Sequence, residues 1–409
     1  MHKFTSSRSL NGARWLVIAM LVALLFSPPV TNLAQLLLVI VVLASSELRG
    51  RVLLACRQPL VIGALAFYAV LSVGVIYSIA SPSEVLGMWS GWRKLLLLPL
   101  AIALFDEPRW KLRLVHVLIG VSVASALASY FGWLTHTAFP VPSQQFGIVI
   151  RNHATQGMIF GVAAFAAATL GLRPAAGSMA ERLFFGVCTL LLVVNIALVT
   201  PGRSGYVVLL TCSLVLVAGS LFVNRTVTLK SVLLAVTTFG LIITLLAVSP
   251  LSRQRITQGL DEAETYHQAH TVTSMGIRMF FWKNTVTMIN ERPLFGYGTG
   301  AFQEAYRLQI DGKDGVAGTL TGDPHNQFLK IAAEHGLAGL AIFLAFLASA
   351  LAQRASAPYR MLGLGVLFAW CITSLANSHF STFSEGTFIY LWLGAMLAND
   401  NDAPLKRPS

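Results

Sequence analysis

The sequence predicts an all-α polytopic membrane protein with about 12 transmembrane helices and one large periplasmic loop containing amphipathic helices. Two observations lead to this fold class. Hydrophobic residues make up 55% of the 409-residue chain and charged residues 11%, a balance that excludes an ordinary soluble domain. The apolar residues also fall into successive runs, most of them about as long as the hydrocarbon core of a bilayer is thick.

The first apolar run reaches Phe26 and begins like a secretory signal peptide. Ser27-Pro28-Pro29 follows in place of the small residues of a cleavage site, so we interpret the run as a retained first span. The other predicted spans are Asn32–Ser45, Leu60–Ala80, Leu95–Phe105, Leu114–Thr135, Gly157–Leu172, Leu183–Val199, Tyr206–Val223, Ser231–Val248, Phe328–Leu351, Met361–Leu375 and Thr387–Leu397. Leu95–Phe105 is short, and we expect Arg93 and Lys94 to lengthen it by snorkelling to the membrane surface.

These spans divide the chain into three parts. Residues 1–249 hold predicted transmembrane helices 1–9 with short loops, and residues 250–326 form the large periplasmic loop with the candidate active-site residues. Residues 327–409 hold predicted helices 10–12 and a cytoplasmic C-terminal tail.

The basic residues favour one orientation. With a cytoplasmic N-terminus, the cytoplasmic segments hold 17 of the 29 Lys and Arg residues, in agreement with the positive-inside rule. The expected protein is multi-pass, with both termini in the cytoplasm. The net charge of +12 then follows from topology, so the expected surroundings are membrane lipids and no nucleic acid is implied.

Three arginines stand at outer ends of spans, against this charge bias: Arg151, Arg203 and Arg278. A charged residue in such a position needs a partner or a function, and we interpret the three as candidate anion-binding residues. Arg278 belongs to a predicted amphipathic helix, Ser274–Ile289, whose apolar face would lie on the bilayer. The structural alternative for each is a snorkelling or helix-capping arginine.

His325 is the candidate general base. Asp323 is a favourable N-cap and Pro324 suits the first helical position, so the sequence predicts His325 and Asn326 in the first turn of a helix that enters the membrane. The helix dipole at that point favours a neutral imidazole and a nearby phosphate. The structural alternative is a capped helix start whose imidazole bonds a loop carbonyl.

No metal or nucleotide site is predicted. His267 and His270, with Glu264 nearby, have a possible ligand spacing, but no further ligand stands at a fixed offset. The glycine-rich stretch GYGTGAF lacks the Lys-Ser/Thr of a phosphate-binding loop, and we interpret it as a turn. The four cysteines lie in or beside predicted spans and are interpreted as core residues.

A base and several arginines at an outer membrane surface suit the transfer of a sugar from a lipid diphosphate. The base removes the proton from the acceptor hydroxyl, and guanidinium groups stabilise the departing diphosphate. The blocks TPGRSGY, ERPLFGYGTGAF and PHNQFLKIAAEHGLAG, together with the polytopic layout, resemble the O-antigen ligase and O-antigen polymerase superfamily, and most of all the ligase.

The resemblance implies an inverting glycosyltransferase without metal or cofactor, at the periplasmic face of the bacterial inner membrane. Its donor would be an undecaprenyl diphosphate-linked glycan and its acceptor the lipid A–core. The resemblance also implies that His325 is the catalytic residue and that Arg203 and Arg278 bind substrate, with Arg151 and Asn326 as further candidates.

Three other functions stay open at this point: an O-antigen polymerase, a protein O-oligosaccharyltransferase, and a transporter of lipid-linked or anionic substrates. The residues do not identify the donor or acceptor sugars, nor the roles of His153, Glu334 and His335.

Overall fold

The computed structural model is helical and free of strands in the residues that it describes, which are 8–138, 140, 145–172, 178–200, 202–223 and 274–400, with five single positions between 224 and 273. In that part of the chain seven helices are long and apolar enough to cross a membrane, or eight if one bent pair forms a single span. The fold class is therefore confirmed as all-α and multi-pass. The predicted span Ser231–Val248, apart from three single positions, lies outside the described residues, as do residues 261–273 of the large loop with the pair His267 and His270.

A helix occupies every predicted span that the described ranges include. Before the main gap the helices are α1 (Arg8–Phe26), α2 (Pro28–Ala44), α3 (Ser46–Ala55), α4 (Pro59–Ile76), α5 (Pro82–Gly91), α6 (Leu97–Leu104), α7 (Pro108–Leu134), α8 (His153–Gly171), α9 (Met179–Leu198) and α10 (Arg203–Val223). After it come α11 (Ser274–Glu291), α12 (Phe302–Ile310), α13 (Gln327–Ser349), α14 (Tyr359–Thr373) and α15 (Phe383–Leu397).

Several of these boundaries follow from proline and serine. Pro28, Pro59, Pro82 and Pro108 each stand at the first helical position, where the N–H group that proline lacks would have no partner in the helix. The chain also bends by 104° between α2 and α3, where Ser45 ends one helix and caps the next.

Helix α8 lies in the middle of the bundle, because every residue from Thr155 to Ala167 is buried. It crosses α10 at two small residues: a Cβ atom added to Gly157 would stand 3.0 Å from the Cα of Gly205. Small residues at such a crossing let two helix backbones approach closely. The two helices therefore begin side by side.

The opposite end of the bundle is held by ion pairs. Arg14, which is fully buried, contacts Asp106 at 2.7 Å and Glu107 at 2.8 Å, and Arg51 contacts Asp106 at 2.7 Å. A buried guanidinium keeps its charge only with such partners, so the cluster ties α1, α3 and the start of α7 together. These residues belong to the segments that the charge pattern predicts to be cytoplasmic.

Helix α13 is broken at Gly336, which has φ +65° and ψ −173°. The GYGTGAF stretch and the residues just before it fill the break: the N–H of Leu337 donates to the carbonyl of Pro293 at 2.7 Å, and the N–H of Gly298 donates to the carbonyl of Glu334 at 2.7 Å. The stretch is thus a turn, as predicted, and it also satisfies backbone groups that the break would leave unpaired in the bundle.

A second, smaller hydrophobic core stands on this turn. It is formed by Phe281 and Met288 of α11 with Phe302 and Tyr306 of α12. Because α11 packs on this core, its position above the start of α13 is fixed by protein contacts.

Candidate functional site

The loop of residues 374–382, between α14 and α15, joins the starts of four helices. At the start of α13, the N–H of Gln327 donates to the carbonyls of Ser374 at 2.9 Å and Asn377 at 3.1 Å. The side chain of Gln327 in turn accepts a hydrogen bond of 3.0 Å from the N–H of Ser381. The loop and the start of α13 therefore form one unit.

The starts of α8, α10 and α15 meet the same loop. Asn377 donates to the hydroxyl of Ser204 in α10 at 3.4 Å. The hydroxyl of Thr155 in α8 bonds the carboxylate of Glu385 in α15, which also accepts a 2.7 Å hydrogen bond from Thr382. Each helix N-terminus carries about half a positive charge, so four of them around one loop favour an anion there.

Helix α13 begins later than the sequence predicted. Its N-cap is Asn326, whose Oδ1 accepts hydrogen bonds from the N–H groups of Phe328 at 3.0 Å and Leu329 at 3.1 Å. The prediction of Asp323 as N-cap and Pro324 as first helical residue was wrong. Asn is as good an N-cap as Asp, and here the Asp323 side chain is occupied in closing the preceding turn.

His325 therefore lies in that turn and not in the first turn of α13, which corrects its predicted position. Its backbone is left-handed, with φ +55°, and its N–H donates to Oδ1 of Asp323 at 2.7 Å. The same oxygen accepts a 2.7 Å hydrogen bond from the hydroxyl of Ser378 in the 374–382 loop. A left-handed residue other than glycine costs on the order of 1 kcal/mol, and these bonds hold it in place.

The helix predicted over Ser274–Ile289 exists as α11 and covers the His325 turn. The ring of Phe281 lies nearly parallel to the imidazole of His325, with centroids 6.3 Å apart, and the indole of Trp282 donates to the carbonyl of Pro324 at 2.9 Å. Arg278 precedes Phe281 by three residues, so it lies on the same face of the helix.

Partial burial, together with two nearby cations, favours the neutral form of His325. Partial burial lowers the pKa of His325 from its usual range, Asp323 raises it, and the cations Arg278 and Lys330 lower it again. The net direction is downward, so the imidazole is unprotonated at neutral pH and can accept a proton. The influence of Arg278 also means that its guanidinium lies within electrostatic reach of the histidine.

The other two predicted arginines stand at the starts of α10 and α8. Arg203 is the first residue of α10, and Arg151 precedes the N-cap of α8 with φ +45° and its guanidinium 6.0 Å from the ring of Phe383. A Cβ atom on Gly202 would lie 2.8 Å from the carbonyl of His153, so the two starts are adjacent. The segments that carry all five predicted site residues therefore meet around the 374–382 loop.

Lys94 has a role that the sequence reading missed. It is buried, and its ammonium group donates to the carbonyls of Ser381 and, at 2.7 Å, Thr382. The expectation that it snorkels to the membrane surface was wrong for Lys94, because two loop carbonyls within the bundle accept its hydrogen bonds. Arg93 is exposed and bonds the carbonyl of Ser90 at 3.1 Å.

His379 and Glu385 are the other missed residues. His379 is buried in the 374–382 loop with its Nε2 atom 3.5 Å from the Ser204 hydroxyl. Burial lowers the pKa of His379, Glu385 and Asp323 raise it, and Arg278 lowers it, so the same guanidinium acts on both histidines. The available signal was the polar stretch NSHFSTFSEG between the last two apolar runs.

Glu334 and His335 lie at the break of α13, away from the 374–382 loop. Both are buried, with the carboxylate 3.9 Å from Nε2 of His335 and the backbone of Gly300 and Phe302 beside it. Among the described residues, no group of three or more His, Cys, Asp or Glu side chains is arranged to hold a metal ion.

Comparison with known proteins gives one family match. Residues 188–344 match the family model described as O-antigen ligase, and this range includes Arg203, Arg278, His325 and Asn326. A curated relative from Haemophilus influenzae, named only as an uncharacterized protein, is 28% identical over 160 residues. That similarity covers 38% of this chain and 39% of the relative's length.

Proposed function

We propose that this protein is the O-antigen ligase that completes lipopolysaccharide, a proposal supported by the match of residues 188–344 to the O-antigen ligase family model. It transfers a glycan from undecaprenyl diphosphate to a sugar hydroxyl of the lipid A–core at the periplasmic face of the bacterial inner membrane. The observation that carries the proposal is the meeting of His325 and three arginine-bearing segments around the 374–382 loop.

The proposed membrane arrangement has 12 spans, cytoplasmic termini and a large periplasmic loop over residues 250–326. In this topology α8, α10, α13 and α15 all begin on the periplasmic side. Their starts share contacts through the 374–382 loop, which agrees with all four starts lying on one side of the membrane. The ion pairs of Arg14, Asp106 and Arg51 then belong to the cytoplasmic side.

His325 acts as the general base in the proposed reaction. The acceptor hydroxyl oxygen attacks the anomeric carbon of the glycan while its proton passes to the imidazole, and the bond from that carbon to the diphosphate oxygen breaks. Attack opposite to the leaving group inverts the configuration. A neutral histidine beside solvent is suited to this step, since its half-exposed ring can be reached by a hydroxyl group.

The arginines and the helix starts stabilise the other half of the reaction. Arg203 and Arg278, with Arg151 at the start of α8, balance the charge of the departing undecaprenyl diphosphate. Asn326 is the N-cap that sets the direction of α13 beside the base. Fixed cations and dipoles suit a transition state in which negative charge develops on the leaving group.

A general base contributes roughly two to four orders of magnitude in rate, so the variant His325→Ala is the direct test. Purified protein is mixed with an undecaprenyl diphosphate-linked glycan and lipid A–core, and the ligated product and released undecaprenyl diphosphate are measured. His136→Ala is the matched control, because His136 is also a left-handed histidine, with φ +53°, outside the site. Near-normal transfer by His325→Ala would remove this residue from the role.

A second measurement decides between ligase and the alternatives. In cells that lack the protein, free carrier-linked polymer with bare core is expected. Core that bears one repeat would assign a polymerase instead, and an unmodified protein acceptor would assign a protein glycosyltransferase. Movement of substrate across vesicles without a new glycosidic bond would assign a transporter.

We expect added EDTA to leave the transfer rate unchanged, as a metal-independent reaction requires.

A further inference from the structure

His379 has no part in the reaction proposed above, although it lies inside the site. Its side chain is 5% exposed, and its Nε2 atom stands 3.5 Å from the hydroxyl oxygen of Ser204. Ser204 follows Arg203 in the first turn of α10 and is itself buried. His379 therefore contacts the residue next to a proposed diphosphate-binding arginine.

Ser204 lies between two polar side chains. The Asn377 amide, oriented with its nitrogen toward Ser204, donates to the hydroxyl oxygen at 3.4 Å. The hydroxyl still has one hydrogen and a second lone pair, so it can either donate to the Nε2 atom of His379 or accept from it. In both tautomers Nδ1 is the ring nitrogen that remains for a further partner.

That Nδ1 atom is buried and has no hydrogen-bond partner among the residues that the structure describes. An unsatisfied buried donor or acceptor costs about 1–3 kcal/mol. A leucine of similar volume in place of His379 would remove the unpaired nitrogen and also the contact with Ser204. The contact with Ser204 is therefore what distinguishes His379 from an apolar side chain at this position.

We propose that His379 is a positioning residue that holds the Arg203 end of α10 at a fixed distance from the His325 turn. This inference rests on the proposed function. The 374–382 loop connects the two: Ser378 bonds Asp323 of the histidine turn at 2.7 Å, and the next residue, His379, contacts Ser204. The loop is also held by Lys94, whose ammonium group donates to the carbonyls of Ser381 and Thr382.

The test compares His379→Leu with His379→Gln in the purified transfer assay. We expect His379→Leu to lower kcat/KM by about tenfold, the effect of losing one hydrogen bond at a reacting site, without a lower melting temperature. The amide oxygen of His379→Gln can still accept from Ser204, so this variant should retain most activity. His335→Leu is the matched control, since His335 is also buried and its ring nitrogens have no hydrogen-bond partner among the described residues, but it lies at the α13 break.

Double variants show whether His379 acts through Arg203. The double variant His379→Leu, Arg203→Lys should lose no more transfer activity than Arg203→Lys alone. The reason is that Arg203→Lys already removes the guanidinium that His379 positions. Combined with Trp282→Phe, which disturbs the histidine turn, the losses should multiply. Full additivity with Arg203→Lys, or a melting temperature that falls in step with activity, would overturn the proposal.

A binding measurement separates this inference from the proposed function. If the wild-type protein forms no ligated product, the ligase assignment fails, and binding of farnesyl diphosphate to the same purified variants then tests His379. Weaker binding by both Arg203→Lys and His379→Leu, but not by His335→Leu, would support the positioning role. Equal binding by His379→Leu and wild type would refute it.

Discussion

The indole N–H of Trp282 donates a 2.9 Å hydrogen bond to the carbonyl of Pro324, so the turn that carries His325 is held by α11 as well as by its own chain. Residues 42 positions apart in the sequence thereby set where the imidazole stands. The contact joins α11, the helix that carries Arg278, to the turn that carries the proposed base.

Trp282→Phe keeps the aromatic packing and removes this hydrogen bond. We expect transfer to fall up to about tenfold at unchanged protein abundance, because one net hydrogen bond of roughly 1 kcal/mol no longer holds the turn. Trp89→Phe is the matched control: its indole donates to the Ser72 hydroxyl at 3.0 Å, away from the site. Equal rates for Trp282→Phe and wild type would mean that α11 does not position the histidine.

The pH dependence of transfer should report on His325. Only the neutral imidazole can accept a proton, and the pKa of His325 is lowered, so kcat/KM should be level near neutral pH and decline as pH falls below about 6.5. Arg278→Gln removes a charge that lowers this pKa, which moves the decline to higher pH. Asp323→Asn removes a charge that raises it, which moves the decline to lower pH. Shifts in the same direction for both variants would exclude His325 as the titrating group.

Arg203→Lys should be markedly impaired although it keeps a positive charge. An ammonium group cannot make the planar, two-pronged contact with phosphate oxygens that a guanidinium makes. Removing one such stabilising donor lowers the rate by roughly two to three orders of magnitude. The lysine variant keeps the charge, so we expect it to lose about half as many orders of magnitude. Arg93→Lys, at an exposed arginine outside the site, is the control in the same assay. Full activity of Arg203→Lys would show that this arginine only anchors α10.

Gly336→Ala should destabilise the protein far more than Gly312→Ala. Both glycines have left-handed backbone, with φ +65° and +70°, so each alanine costs about 1 kcal/mol on that account. At Gly336 the new Cβ atom would also overlap the main chain of Leu294, whereas nothing lies within 4 Å at Gly312. Thermal unfolding in detergent measures the difference. Equal melting temperatures would mean that the GYGTGAF turn is not fixed in the helix break.

Local chemistry in the sequence was sufficient for the existence of the helices. The apolar runs predicted α1, α4, α7 and the others because each helix satisfies its own backbone groups within a single segment. The start of α13 was misjudged, since Asp323 and Asn326 are equally good N-caps and the choice depends on a bond from Ser378, 55 positions away.

The sequence predicted some residues of the candidate site and missed others. His325, Arg203, Arg278 and Arg151 were identifiable from sequence because a polar or cationic residue beside an apolar run contradicts the prevailing pattern. His379, Glu385 and Lys94 were missed because their partners are Ser204, Thr155 and two loop carbonyls on other helices. Nothing in a one-dimensional pattern indicates those contacts.

The sequence by itself determined that this chain is a helical membrane protein, which ends of its helices carry charge, and which histidine and arginines are candidates for chemistry. Hydrophobic length and charge bias are properties of single segments, and the bilayer acts on each segment separately. Only the tertiary structure decided that four helix starts meet at residues 374–382 and that His325 stands in a turn before its helix. Those outcomes depend on hydrogen bonds and packing between distant segments, which exist only once the bundle has closed.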